Sequence, residues 1–419
     1  MEEDALIKYF LPDGLDLVDP SFDFERESRS PGHIRHQHDQ YAHEVFSSPA
    51  YDGLLISKGI IDGARRYTTA QRNRLLRVGA PEFFRVKTLN LPIMGDCGAF
   101  TYIREPVPPF TVDDVLTFYA DCDVDFGLSV DHIITAFLPR VSNLIEKSDD
   151  SVPSEFRRRQ ELTLQMAAEF LNKHQTQRLK FTPLGVAQGW DPQSYASAVE
   201  SLQKMGYTYI ALGGMATLRT DAILKCLEEI QRKRWSDTRF HLLGVGRTGL
   251  AVTFAKLGIA SFDSTSPLLQ AFKDNKDNYY TLDRAYTAVR VHQVSYYPQR
   301  SRRIISGEVS QEDAARLEKY CLEALRQYDV GERALESTLD PIMDLQDILE
   351  PAQHLREAYR EVLMERPWRQ CPCDVCREIG YHVILFRGAE RNRRRGFHNV
   401  WVFYRRLQRE LSSIAAGSL

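Results

Sequence analysis

Three cysteines crowd into the run CPCDVC, at Cys371, Cys373 and Cys376, and His398 follows on the same C-terminal stretch. Thiolates and an imidazole are the ligands of a tetrahedral zinc ion, and four of them leave no open coordination position, so the site reads as structural. The short C-x-C-x2-C spacing lets one turn wrap the metal, and His398, expected at the start of the final helix, would pin that helix to the knuckle. His382, six residues past Cys376, is the alternative fourth ligand. The competing reading is a cluster of free thiols.

A second set of residues is defined by position. Short apolar runs along the chain end in polar or glycine residues: Asp96 in IMGDCGAF, Asp131 and His132 in LSVDH, Gln188 and Gly189 in VAQGW, Gly213 and Gly214 in IALGGM, Gly246 and Arg247 in GVGR, and Asp263 in SFDST. Any one of these alone reads as a strand-end turn or a helix cap. Together they could line one mouth. Two or more carboxylates there suit nucleophilic attack with acid–base help. Paired glycines let a ligand approach the backbone, and the small residues Cys97, Gly98 and Ala99 leave room for a planar one.

The elements that must carry these residues alternate. Strand-like runs occupy 53–57, 86–94, 125–132, 182–189, 207–214, 240–246 and 259–265, with amphipathic stretches between them. In DPQSYASAVESLQKMG, Asp191 is the expected N-cap, Pro192 the first helical residue and Gly206 the stop. Such alternation means parallel strands with crossover helices. No GxGxxG follows the first strand, which favours a (β/α)8 barrel, whose active sites lie where the strand C-termini converge. An eighth strand is not visible. The expected organisation is an N-terminal extension packing on the barrel (1–50), the main part of the barrel (51–266), a mostly helical insertion (267–370), and a zinc knuckle with a C-terminal helix (371–419). The His-rich stretch SPGHIRHQHDQYAHE reads as ordinary surface.

The chain has 419 residues, 43% hydrophobic and 26% charged, with a net charge of −3. That length buries a large core. The charge excludes a bulk polycation, so contact with nucleic acid would need local basic patches. No signal-peptide pattern and no apolar run of 18 residues is visible, so the reading is a cytoplasmic protein without a membrane partner. Seven cysteines, an odd number, fit reduced thiols around a metal.

GDCGAFTYI resembles the DSGGFQ segment of the tRNA-guanine transglycosylase superfamily. The stretch from PLGVAQG to YIALGGMA is similar to that family's QG and GG segments, LLGVGR with LGIASFDSTSP to its GVG and FD segments, and the cysteine cluster with HNVWVF to its zinc site. The order holds from about residue 85 to the C-terminus. The resemblance implies a base-exchange pentosyltransferase with Asp263 as covalent nucleophile and Asp96 as acid/base. It makes Asp131 the reader of guanine's Watson–Crick edge, sets Gln188 and the Gly214 N–H against the O6 side, and counts Gly213 and Phe100 with the substrate-binding residues. The implied chemistry is a double displacement through a glycosyl-aspartate, with a 7-deazaguanine base taking guanine's place.

Departures from the family pattern point away from tRNA. Thr101 stands where the family has Gln, SPL stands where it has PTR, and about 108 residues separate Asp263 from Cys371. With the N-terminal YFLPDGLDLVDPSFDFE, these features resemble the DNA-modifying branch called DpdA, which inserts 7-cyano-7-deazaguanine into DNA; tRNA is the alternative substrate, and a non-catalytic paralogue subunit the alternative role. A DNA enzyme must first extract the nucleotide from the stack, with or without a protein partner that opens the duplex. Arg300, Arg302 and Arg303, beside Tyr296 and Tyr297 in YYPQRSRR, and Arg393, Arg394 and Arg395 in RNRRR are the candidate nucleic-acid contacts.

Overall fold

The computed structural model describes residues 7–63, 66–138, 152–273, 276–352 and 354–417. They divide into two units: residues 1–15, 51–265 and 407–419 form one, and 16–50 with 266–406 form the other.

Unit one is a closed barrel of eight parallel strands in sequence order: β1 (Lys8–Pro12), β2 (Gly53–Ser57), β3 (Ile93–Asp96), β4 (Phe126–Leu128), β5 (Thr182–Ala187), β6 (Tyr209–Leu212), β7 (Arg239–Leu242) and β8 (Ile259–Asp263). All seven runs read from the sequence supply a strand. The run 86–94 does so only at its end, because Lys87–Leu89 form a 3₁₀ turn. The missing eighth strand is β1, which pairs with β2 on one side and β8 on the other. The expected 1–50 extension therefore does not exist as one piece: residues 8–12 are barrel, and 16–50 belong to unit two.

Phe10, Leu55, Met94, Leu128, Leu184, Val186, Tyr209 and Ala211 form one buried cluster, with one or two side chains from each of six strands. This is the layered filling that makes a barrel of this size a packed core. The crossover helix Pro192–Met205 forms as its sequence dictates. Asp191 accepts the Ser194 N–H at 2.7 Å, Pro192 opens the first turn, and Gly206 at φ 107° ends it.

Unit two is mainly helical. Its long helices include Gln311–Asp329, Leu335–Leu349 and Arg356–Glu365, and it holds two two-stranded pairs, Tyr279–Tyr280 with Ala285–Tyr286 and Val289–Arg290 with Leu385–Phe386. The C-terminal helix spans Gly388–Gly417. It starts ten residues before His398, so that ligand sits about three turns into the helix instead of at its head. The His-rich stretch is not plain surface either: the buried His33 ring lies between Asp19 (3.3 Å) and Asp39 (2.8 Å). Among the described residues no helix is long and apolar enough to cross a membrane.

Candidate active site and metal centre

Parallel strands deliver their C-terminal residues to one mouth. Asp96 ends β3 and Asp263 ends β8; Gln188 directly follows β5, Gly213 follows β6, Gly244 lies two residues past β7, and Asp131 three past β4. Asp96 feels the negative charge of both Asp131 and Asp263. The carboxylates singled out from the sequence thus share one electrostatic site.

Asp263 is 7% exposed, and its Oδ1 accepts the Gly244 N–H at 2.8 Å. His241 Nε2 lies 3.2 Å from the same oxygen. β1 braces this strand end: the Tyr9 hydroxyl donates to the Ser264 carbonyl at 2.7 Å, and its ring stacks on Phe262 at 5.2 Å.

Asp96 accepts the Gly98 N–H at 3.0 Å. Burial, then the charges of Asp131 and Asp263, push its pKa up to about 7, while the Gly98 N–H and the Ser57 hydroxyl pull the other way. A carboxyl titrating near neutrality can both give and take a proton. Gly98 is required on two counts: its φ is +89°, and a Cβ there would come within 2.7 Å of the Gly59 backbone.

Asp131 and Gln188 are both buried and bonded to each other, Gln188 Nε2 donating to Asp131 Oδ2 at 2.6 Å. Cys97 donates its S–H to Asp131 Oδ1 at 3.2 Å, and the Tyr102 hydroxyl donates to the Asp131 carbonyl oxygen at 3.1 Å. Burial and the neighbouring Asp131 and Asp96 hold the Cys97 thiol protonated, far above its ordinary range. Burial likewise raises Asp131, against the opposing effect of its two side-chain donors. Phe100 is 59% exposed on the 3₁₀ turn after Asp96.

In unit two, the Cys371, Cys373, Cys376 and His398 ligand atoms all lie within 4.8 Å of one another. His398 Nδ1 faces the three sulfurs at 3.7, 3.4 and 3.3 Å. Its Nε2 lies 2.7 Å from the Tyr280 carbonyl oxygen and must donate to it, which fixes the tautomer and leaves Nδ1 bare toward the thiols. The Tyr279 ring stacks on the imidazole at 4.2 Å. His382 is excluded as the fourth ligand, for it stacks on Phe24 and pairs with Glu25. The donor set and the fixed tautomer fit a four-coordinate metal.

A family model described as queuine tRNA-ribosyltransferase matches residues 79–419. The chain belongs to that family. It is accordingly a pentosyltransferase. A relative from Salmonella montevideo named DNA-guanine transglycosylase is 48% identical over 418 residues, covering 97% of this chain and 98% of its own. The family match spans all eleven residues assigned to catalysis, base binding and metal, from Asp96 to His398.

Within this family frame several sequence expectations change. Gly213 adjoins Gln188 at the barrel mouth, yet its N–H is spent on the Ala187 carbonyl (3.0 Å) and its own carbonyl accepts the Tyr195 hydroxyl (2.8 Å). Its contribution is space, because a Cβ there would lie 2.2 Å from Gln188 Nε2. Gly213→Ala is therefore expected to displace the Gln188 amide and weaken guanine binding about tenfold, at little cost in turnover, as measured by equilibrium binding against kcat. Gly214, half-buried at φ +74°, packs on Gln188 Oε1 in the same way.

The arginine run is corrected more sharply. Arg394 and Arg395 are 1% and 0% exposed. Arg395 donates to the Ala271, Val383 and Leu385 carbonyls and to Asn392, and Arg394 donates to the Asp19 carbonyl at 2.8 Å. Arg393 is half-buried, 3.7 Å from Glu390. A guanidinium has five N–H donors in a fixed fork, so it can tie loop carbonyls together inside a core. Arg394 and Arg395 are thus structural and reach no nucleic acid. In the other patch Arg302, Tyr296 and Tyr297 are exposed, while Arg303 is tied to Glu308 and to the Ile348 carbonyl. The Arg300 side chain lies outside the described residues.

The sequence reading missed His241, Ser261 and Tyr209. The signal was present: a histidine between the apolar Phe240 and Leu242 of β7, which the structure sets in register with Ser261 on β8.

Proposed function

We propose that this enzyme exchanges guanine in DNA for a 7-deazaguanine, 7-cyano-7-deazaguanine, through a covalent bond between Asp263 and the sugar C1′. The observation that carries the proposal is the division of labour between two carboxyls in one mouth. Asp263 is anchored through one oxygen, and Asp96 is held protonatable near neutral pH. Two carboxyls with different environments divide into nucleophile and acid/base.

In the first displacement, Asp263 attacks C1′ and guanine leaves with the Asp96 proton on N9. In the second, Asp96 takes the N9 proton of the incoming base as that nitrogen attacks C1′ and frees Asp263. One glycosidic bond replaces another, so no energy source is consumed. Asp131 accepts from the N1–H and N2–H edge that guanine and its 7-deaza analogues share. Gln188 is close enough to Asp131 to serve O6 of the same ring, with the Gly214 N–H beside it, and Phe100 offers an exposed ring at the mouth. DNA is favoured over tRNA by the near full-length match to the Salmonella relative, a DNA-guanine transglycosylase by name. The exposed Tyr296, Tyr297 and Arg302 supply a stacking and phosphate surface of the type single strands use. The intact Asp96 and Asp263 argue against a non-catalytic subunit.

Zinc is the metal that three thiolates and an imidazole suit best, and the four ligands close its coordination sphere, so its role is to hold unit two together. Cys373→Ser is expected to lose one equivalent of zinc per chain, by atomic emission, and to melt about 10 °C lower. Unchanged metal content and melting would rule out this site.

The substrate is tested by incubating the protein with radiolabelled guanine and either guanine-containing DNA or bulk tRNA. Label entering DNA supports the proposal; label entering tRNA alone overturns it.

A further inference from the structure

Beneath Asp263 three buried polar side chains run in series. The Tyr209 hydroxyl contacts Ser261 Oγ, Ser261 Oγ lies 2.5 Å from His241 Nδ1, and His241 Nε2 lies 3.2 Å from Asp263 Oδ1. His241 is 0% exposed, Ser261 1% and Tyr209 4%. A buried polar series inside an apolar barrel is costly unless every member is satisfied.

For a neutral imidazole, proton counting allows two orders. If His241 carried its proton on Nδ1, its bare Nε2 would face the carboxylate lone pairs. If the proton is on Nε2, every group is matched: Tyr209 donates to Ser261, Ser261 donates to Nδ1, and Nε2–H donates to Asp263. An ionised Asp263 selects the second order. Oδ1 then takes two donors, His241 Nε2–H and the Gly244 N–H at 2.8 Å, while Oδ2 keeps its lone pairs for attack.

We propose that His241 is the positioning residue of the nucleophile, with Ser261 and Tyr209 holding its tautomer. This inference rests on the glycosyl-aspartate reading. In the forward step the Oδ2 lone pair forms the bond to C1′, the C1′–N9 pair leaves with guanine, and the Asp96 proton neutralises N9. Oδ1 becomes the carbonyl oxygen of the ester, still held by both donors. In the return step the N9 pair of the incoming base forms the new bond, its proton goes to Asp96, and the C1′–Oδ2 pair returns to the carboxylate. His241 and Gly244 stabilise the charge that reappears on that group.

The test uses the full-length protein and a guanine-containing DNA oligonucleotide, with denaturant-resistant adduct measured in a single turnover. His241→Phe keeps the ring volume and removes both nitrogens; its adduct rate is expected to fall about 100-fold with DNA affinity within about threefold of wild type. His241→Gln returns an N–H at the Nε2 position and is expected to recover at least about a tenfold part of that loss. Ser261→Ala frees Nδ1 and is expected to slow the same step about tenfold. A wild-type rate in His241→Phe, a His241→Gln no faster than His241→Phe, or a loss confined to affinity overturns the proposal. Should His241→Phe fail to fold, an unchanged rate in Ser261→Ala overturns it. Absence of any adduct with the wild-type protein sinks the glycosyl-aspartate reading itself, whereas adduct in the wild type with no effect of the variants sinks only the role of His241.

Discussion

Asp263→Asn is expected to abolish both the denaturant-resistant adduct and guanine exchange, a loss of at least about 10⁴-fold, while the protein folds as before, if Asp263 is the proposed nucleophile. Asn keeps a carbonyl oxygen that can accept the Gly244 N–H, so the end of β8 stays braced. What disappears is the anionic oxygen that must bond to C1′. The measurement is denaturing electrophoresis of the protein with labelled DNA, in parallel with incorporation of labelled guanine. Exchange at the wild-type rate by the Asn variant would mean that another group carries the sugar.

The second large effect belongs to Asp96 and to pH. On the proposed acid/base role guanine release needs the protonated form, so adduct formation is expected to fall about tenfold per pH unit above its pKa of about 7. Capture of the incoming base needs the ionised form and rises toward the same pH. Net exchange therefore peaks near pH 7. The groups facing Asp96 are Asp131, Asp263, Ser57 and the Gly98 N–H. Asp96→Asn lowers adduct formation by about 10²–10⁴-fold and flattens the limb above pH 7. The same carboxyl also makes stability depend on pH. The folded state binds the Asp96 proton more tightly than the unfolded chain does, so the group's contribution is full below about pH 4 and is lost as pH rises through about 7. Asp96→Asn should melt higher than the wild type above pH 7, with the gap closing toward pH 4. Thermal melts across that range check the sign.

What could be read in the sequence follows from range of interaction. β2 to β8 announce themselves by local apolar runs, and their polar ends lead to the mouth. β1 does not: KYFLP is five residues long with a lysine at one end and a proline at the other, and about forty residues of turns follow it before β2. Nothing local says that it closes the barrel. The arginines of RNRRR were legible as charge but not as burial, because the carbonyls they satisfy come from Asp19, Ala271, Val383 and Leu385, all distant in sequence or hidden in turns. His241 was passed over since its hydrogen-bond partners, Ser261 and Asp263, both sit on another strand. By contrast, the zinc ligands sit within one short motif plus one helix, and three of the four needed only local spacing to be found.

The position of β1 has a consequence for how the polypeptide is made. Ribosomes release the N-terminus first, yet β1 needs β8, some 250 residues downstream, to complete its pairing. The segment just behind it waits longer still: the Asp19 N–H binds Glu390, and Glu27 pairs with Arg387. Asp19 and Glu27 thus wait for their partners until translation is nearly over, and β1 for its second neighbour until β8 has been made. Such high contact order slows folding and leaves apolar runs uncovered on the way. C-terminal truncation before residue 387 should accordingly strand the N-terminal segment even though every strand of the barrel has been synthesised.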